Sequence, residues 1–290
     1  MSILSYVRTT ATVTILAIII PFFIGCASDK DSDIDYVEQP VEELYNYGMD
    51  LMIDKEYTKA IKELSTVEQQ HPYSKWAVRS QLMVSYAYYE LNKFDDAIDS
   101  LNFFIQLHPG NKDVDYAYYL KALCYYEQIP DVERDQKSAE LAFKSLQELI
   151  DRFPNSTYAR AARLKLDLVK DHLAGKEMLI GRQYESKKQY LAAINRYSNV
   201  INDFQNTNHV SEALYRLIEC YEILGLSDEA KKIAAILGHN YPGDLWYSNS
   251  YKLIKAVELE NDFKLNQKKK DDSWFNRPYL IDYADRPIDP

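Results

Sequence analysis

The sequence predicts an all-α chain in which five helix-turn-helix units stack into a superhelix, followed by a closing helix and an extended tail. Three observations carry this. Apolar residues recur at three- and four-residue spacings, as in Leu44, Tyr47 and Leu51 and again in Ile61, Leu64 and Val67, and no run alternates at period two. His71-Pro72 recurs as His108-Pro109, 37 residues on, and Phe153-Pro154 and Tyr241-Pro242 close two further segments in the same way. Ahead of these prolines stand Ala60, Ala97, Ala142 and Ala230, with Ala193 in the same place in a segment that reaches Gln205 without a Pro.

The elements follow in order. Residues 1–25 read as a secretory signal: Arg8 is the only charge before a largely apolar run from Ala11 to Ile24, and small residues follow. Pro21 and the shortness of the run argue against a full membrane span, which needs ~20 apolar residues. Phe23-Ile24-Gly25-Cys26 resembles a bacterial lipobox, which implies that Cys26 carries lipid and begins the mature chain. Residues 26–40 are acidic and poor in apolar side chains, and read as a tether between lipid and fold.

Residues 41–156 hold units one to three and residues 157–243 a long helix with units four and five. The pattern resembles the tetratricopeptide repeat, a helix-turn-helix unit of ~34 residues. Each signature residue has a steric reason. Gly48, Ser85, Ala122 and Gly181 are small where the second helix crosses the first, and the Ala series makes the reciprocal contact. Leu64 and Val67, Leu101 and Phe104, Leu146 and Leu149, and Tyr197 and Val200 complete each pair. Pro ends each unit because it cannot continue a helix. Ile218 is large for its place and predicts a tilted fifth pair.

Two irregularities stand out. The third unit carries an insertion between its helices, residues 128–136, with Pro130 and the charged run Glu133-Arg134-Asp135. A helix capped by Ser156 is expected to run on to Lys187, weakened by Gly175 and Gly181, and to join the first three repeats to the last two as separable halves. Residues 244–270 read as the closing helix, with Asp244 as its N-cap and Lys268-Lys269-Lys270 in its last turn, where cations suit the negative helix end. Residues 271–290 hold Trp274, Phe275, Tyr279 and Tyr283 among prolines and read as a tail that is either disordered or extended along another surface. Cys124 and Cys220 lie in helical apolar patterns and read as small buried side chains; a disulfide between them is the alternative in an oxidising compartment.

Stacked repeats make a concave face from their first helices. The positions between the packed ones are Glu42, Tyr45, Met49 and Met52 in unit one, Arg79, Leu82, Tyr86 and Tyr89 in unit two, and Tyr116, Tyr119, Leu123 and Tyr126 in unit three. Only Glu42 and Arg79 among these twelve are charged, and six are tyrosines. Tyrosine offers a broad apolar face with a hydroxyl, and methionine adapts to varied shapes. Such a groove suits an extended or hairpin-like peptide with aromatic and apolar side chains. The alternative is that curvature or the tail of the chain buries these rings.

A net charge of −10 repels phosphates and disfavours nucleic acid as a partner. The histidines follow the repeat, no pair has metal-ligand spacing on one helix, and neither a nucleophile elbow nor a phosphate-binding glycine loop is present. No cofactor, metal site or catalytic set is expected.

Local matches go beyond the generic repeat. His71-Pro72-Tyr73-Ser74, Val114-Asp115-Tyr116-Ala117-Tyr118-Tyr119, Arg134-Asp135-Gln136 followed by Ala142-Phe143, and the run from Lys188 to Arg196 resemble the BamD family, the lipoprotein subunits of the outer-membrane β-barrel assembly machinery. The resemblance implies a scaffold without enzyme activity, lipid-anchored at the periplasmic face of the outer membrane. It implies that the N-terminal repeats receive aromatic-ended signals of unfolded outer-membrane proteins. It implies that the C-terminal repeats dock the POTRA domains of the barrel-forming subunit BamA, with Arg196 as a contact to a carboxylate, and that other lipoproteins of the machinery are partners. Ala27, where an Asp retains lipoproteins in the inner membrane of enterobacteria, is compatible with that location. A different periplasmic repeat lipoprotein, recruiting peptidoglycan enzymes or tethering the envelope, is the rival reading.

Overall fold

The computed structural model describes residues 38–275, and these are helical apart from short turns and one insertion loop. The lipobox with Cys26, nearly all of the tether and residues 276–290 lie outside them. Five pairs form the body: α1 Val41–Ile53 with α2 Tyr57–Gln70, α3 Lys75–Glu90 with α4 Phe94–Leu107, α5 Val114–Glu127 with α6 Lys137–Arg152, α7 Thr157–Ser186 with α8 Tyr190–Asp203, and α9 Val210–Ile223 with α10 Ser227–Asn240. The closing helix α11 spans Leu245–Phe275. It therefore outruns its expected end at residue 270. The lysine run is not its last turn, and residues 271–275 belong to helix rather than tail.

The small-residue rule holds in three dimensions. A Cβ on Gly48 would lie 2.7 Å from Leu64 Cδ2, and one on Gly181 would fall on the Tyr197 ring. Ala60, Ala97, Ala142, Ala193 and Ala230 are fully buried, as are Leu64, Leu101, Leu146 and Tyr197. Ile218 is also buried without exposure, so its extra bulk fills the fifth core. Cys124 and Cys220 are free thiols on separate helices, both buried, and burial pushes each up to about 12.

The turn inside each regular pair is built one way. Lys55, Asn92, Lys188 and Gly225 take positive φ (60°, 56°, 60° and 75°), and the next amide reaches back to close the helix end, as in Glu56 N to Leu51 O at 2.9 Å. Only Gly225 does so without a Cβ penalty. Between units, His71, His108, Phe153 and Tyr241 leave the helix ahead of Pro with non-helical backbones, φ between −133° and −126° and ψ between 51° and 57°. Phe204 does the same before Gln205, so the repeat itself sets the bend and proline only reinforces it.

The core is a chain of clusters. Leu51, Ala60, Leu64 and Ala87 form the first; Ala97, Leu101, Phe104, Leu120 and Cys124 the next. α7 belongs to two: Ala162, Leu166 and Val169 pack with α5 and α6, while Ala174 and Met178 pack with α8 and α9. Ser156 caps α7 by accepting from Tyr158 N at 3.1 Å. At the other end of the body, Gln39 N donates to Gln70 Oε1 (3.2 Å) and its carbonyl lies 2.9 Å from His71 Nε2, so the chain enters α1 along the end of α2.

Candidate functional site: an aromatic face on the first helices

Most of the expected groove residues share one partly open face. Tyr45, Met49, Tyr86, Tyr89, Tyr116, Tyr119, Leu123 and Tyr126 are half-buried, and Arg79 is exposed. Met52 and Leu82 are each 8% exposed and belong to the core clusters, so they pack between helices rather than line an open surface. Helical rotation over a turn carries these two toward the neighbouring unit.

Two aromatic residues join the face that the repeat signature does not mark. Trp76 lies against Tyr45 with ring centroids 4.6 Å apart, and Tyr158 lies 5.2 Å from Tyr116 and 5.4 Å from Tyr119. Each stands two residues after a capping serine, Ser74 or Ser156, and that shared offset is the sequence signal. Tyr86, Tyr89 and Phe94 continue the row, at 6.4 and 5.9 Å.

The face also runs on into α7. Pro154 follows Pro109 by 45 residues, and the same offset carries Tyr119 onto Leu164 and Leu123 onto Leu168. These leucines are 70% and 59% exposed. Leu168 shares a pocket with Tyr126, Ile129 and Pro130 of the insertion, and Lys165 Nζ sits 4.1 Å from the centre of the Tyr126 ring.

The rings of the face are uncharged, with the Glu90 and Glu127 carboxylates beside Tyr86 and Tyr89 and cations at the other edge. A hydrogen bond to Glu90, with burial, pushes the Tyr86 hydroxyl up to about 12; burial does the same to Tyr89. Burial raises Tyr45, Tyr116 and Tyr119 as well. All stay protonated at physiological pH and act as donors. The Arg79 guanidinium lies 5.4 Å from the Trp76 ring centre and Lys75 Nζ 5.0 Å, a cation–π arrangement.

The matching face of the C-terminal half differs in kind. Arg216 on α9 pairs with Glu219 (2.9 Å), Glu185 and Glu212 (3.5 Å each), and Arg182 pairs with Glu212 at 2.9 Å. Tyr197 donates to Glu185 at 2.6 Å and Tyr215 to Glu219 at 2.8 Å. Two arginines and three glutamates are thus paired within the face, with Arg216 Nε left without a hydrogen bond. Arg196, the expected docking residue, is 37% exposed and already holds Glu177 of α7, at 3.1 and 3.3 Å, while Asn199 donates to the same carboxylate.

Among the described residues no three His, Cys, Asp or Glu side chains stand together as metal ligands, and no helix is long and apolar enough to cross a membrane.

A family model described as YfiO, outer membrane lipoprotein, matches residues 37–236. "Outer membrane protein assembly factor BamD" of Caulobacter vibrioides is 48% identical over 244 residues, covering 83% of this chain and 80% of that protein. The protein of the same name from Rickettsia prowazekii is 49% identical over 234 residues, covering 81% and 92%. Among solved structures, a thermophilic TPR protein from Thermus thermophilus aligns over 76% of this chain and all of its own, at 18% identity and a TM-score of 0.37. On the family model and the close relatives, the chain belongs to the BamD family of outer membrane lipoproteins.

Proposed function

We propose that the protein is a non-enzymatic scaffold of outer membrane protein assembly, held by lipid on Cys26 at the periplasmic face of the outer membrane. Its aromatic face, from Tyr45 to Tyr126, receives unfolded outer-membrane chains through their apolar and aromatic side chains. Its C-terminal repeats, with Arg196, dock the POTRA domains of the barrel-forming subunit BamA, beside other lipoproteins of the machinery. The relatives' name, outer membrane protein assembly factor, supports the assignment.

The observation that carries the client-binding reading is the run of protonated tyrosines that stay half-open while the true core positions are sealed. Half-open rings retain apolar area to bury against a ligand, at ~25 cal/mol per Å2. Their hydroxyls and the neighbouring Arg79 serve an extended backbone. The C-terminal face, by contrast, commits its polar groups to internal ion pairs and offers a client little.

The test is binding of an aromatic-ended barrel-strand peptide to the protein carrying Tyr86→Ala with Tyr119→Ala. Affinity is expected to fall about tenfold, the size of ~1.4 kcal/mol, with helicity retained by circular dichroism. Unchanged affinity moves client binding to another surface.

A further inference from the structure

The insertion between α5 and α6 builds a second surface, distinct from the tyrosine row. Its backbone is held from within: Gln136 Nε2 donates to the carbonyls of Arg134 (2.9 Å), Val132 (3.3 Å) and Asp131 (3.4 Å). From α7, Lys176 Nζ donates to the carbonyls of Glu133 and Arg134 at 2.9 and 3.0 Å. Fixed in this way, the loop closes a pocket of about 550 Å3 against α7 and α8.

The pocket has two kinds of wall. Leu173, Ile180 and Phe204 supply apolar surface. Glu133, Asp135, Glu140, Glu177 and Asp203 supply five carboxylates. Of these, only Glu177 has an ion-pair partner among the described residues, namely Arg196. The lining cations are Arg134 and Lys176, and the Lys176 ammonium is already taken up by the two loop carbonyls. One polar group of the lining residues is also unpartnered. Gln136, which lines the pocket, is 8% exposed, and its Oε1 is buried with no hydrogen-bond partner. Buried acceptors are ordinarily satisfied.

We propose that this pocket receives a lysine or arginine side chain from a partner protein. These are the side chains with an apolar stem and a cationic tip, which match apolar walls under an acidic rim. An anion would meet five carboxylates, and a purely apolar group would leave the four that lack an ion-pair partner without one. The net charge of −10 draws a basic partner toward it over longer range. The inference deepens the docking reading above and rests on it for the partner. The link is Glu177, which lies in the pocket and also holds Arg196. A cation entering the pocket competes for Glu177 and releases Arg196 toward a partner carboxylate, so that one internal ion pair is exchanged for two across the interface.

The experiment measures capture of the purified barrel-forming subunit by the full-length lipoprotein in detergent, at low and at moderate salt. The test variant is Asp135→Asn, Glu140→Gln, Asp203→Asn; all three residues are exposed and outside the ion pairs of the described fold. A control with the same charge change, Glu43→Gln, Asp50→Asn, Asp54→Asn, lies on and beside α1. The test variant is expected to bind at least tenfold more weakly at low salt, with the control near wild type. Equal binding by test variant and wild type overturns the pocket and leaves docking intact. Equal loss in test and control variants overturns it too, because the effect is then one of total charge. Failure of the unmodified protein to capture the subunit overturns both the pocket and the docking reading.

Discussion

Trp76 packs on Tyr45 with its ring tilted by 41°, and the same pairing recurs along the chain. Tyr158 covers Tyr119, and Trp246 covers Tyr215 at 5.1 Å. In each case an aromatic side chain in the first turn of one helix closes over a tyrosine of the first helix in the preceding unit. The pairs therefore serve two purposes: they join neighbouring units, and in the N-terminal half they present the outer surface of the same rings.

Replacing Trp76 by Ala separates these roles. The aromatic pair is worth ~0.5–1.5 kcal/mol beyond its buried area, and the half-buried indole adds area of its own. A loss of about 2 kcal/mol in urea unfolding is expected. A double-mutant cycle with Tyr45→Leu should return a coupling within the range for the pair; zero coupling would mean that the rings are adjacent without interacting.

Gly181→Ala pits two effects against each other. Removing a helical glycine gains ~1 kcal/mol, but the new methyl falls on the Tyr197 ring, which is fully buried and has nowhere to go. Overpacking costs ~1–3 kcal/mol, so net destabilisation is expected. Gly175→Ala meets the half-buried His209 imidazole at 3.3 Å, which is able to shift, and Val132 Cγ1 at an ordinary 3.9 Å, and should be neutral or stabilising. The order of the two melting temperatures decides the matter.

Alkaline pH should loosen the fold. Tyr86, Tyr89 and Tyr215 are raised to about 12 and Tyr116 and Tyr197 are raised as well, chiefly by burial except at Tyr86, where the Glu90 hydrogen bond leads. In the unfolded chain these phenols ionise near 10 while the folded chain still holds their protons. Stability is thus fully present below pH 10 and is lost as pH rises through 12. Urea midpoints measured alongside tyrosinate absorbance test this; a midpoint flat from pH 9 to about 12 would contradict the raised values.

Arg196→Ala should barely change stability while weakening docking. The pair with Glu177 is partly solvated, and such pairs contribute less than ~1 kcal/mol. Capture of the barrel-forming subunit is expected to fall several-fold. A large stability loss with unchanged capture would make Arg196 a strut between α7 and α8 and nothing more.

Cys26→Ser should move the protein from the detergent phase to the aqueous phase after expression in a lipoprotein-processing host. Full retention in the membrane would remove the lipid anchor from the account.

Much of this was legible in the residues. The Ala and small-residue series located the pairs because two helices cannot cross closely over large side chains, and that constraint leaves a mark at fixed spacing. Trp76 and Tyr158 escaped notice because the repeat signature tracks packed positions, whereas these two sit in first turns and reach back over the preceding unit. Leu164 and Leu168 were hidden by the assignment of α7's first half to an irregularity, although its register continues that of α5. Met52 and Leu82 fall at groove spacing yet pack in the core, because sequence spacing gives a direction around one helix and not the position of the next. The end of α11 was misplaced for a similar reason: three lysines resemble a helix terminus, and only the backbone shows that the helix continues past them.

α7 is thirty residues long, about 45 Å of unbroken rod. Ala162, Leu166 and Val169 are embedded among its predecessors, and Ala174 and Met178 among its successors. Neither half can be excised cleanly, since any cut strips one side of its innermost layer. Where ordinary repeat arrays peel from their ends, this one is expected to melt in a single step, and a push at the third unit reaches the fourth without crossing a joint.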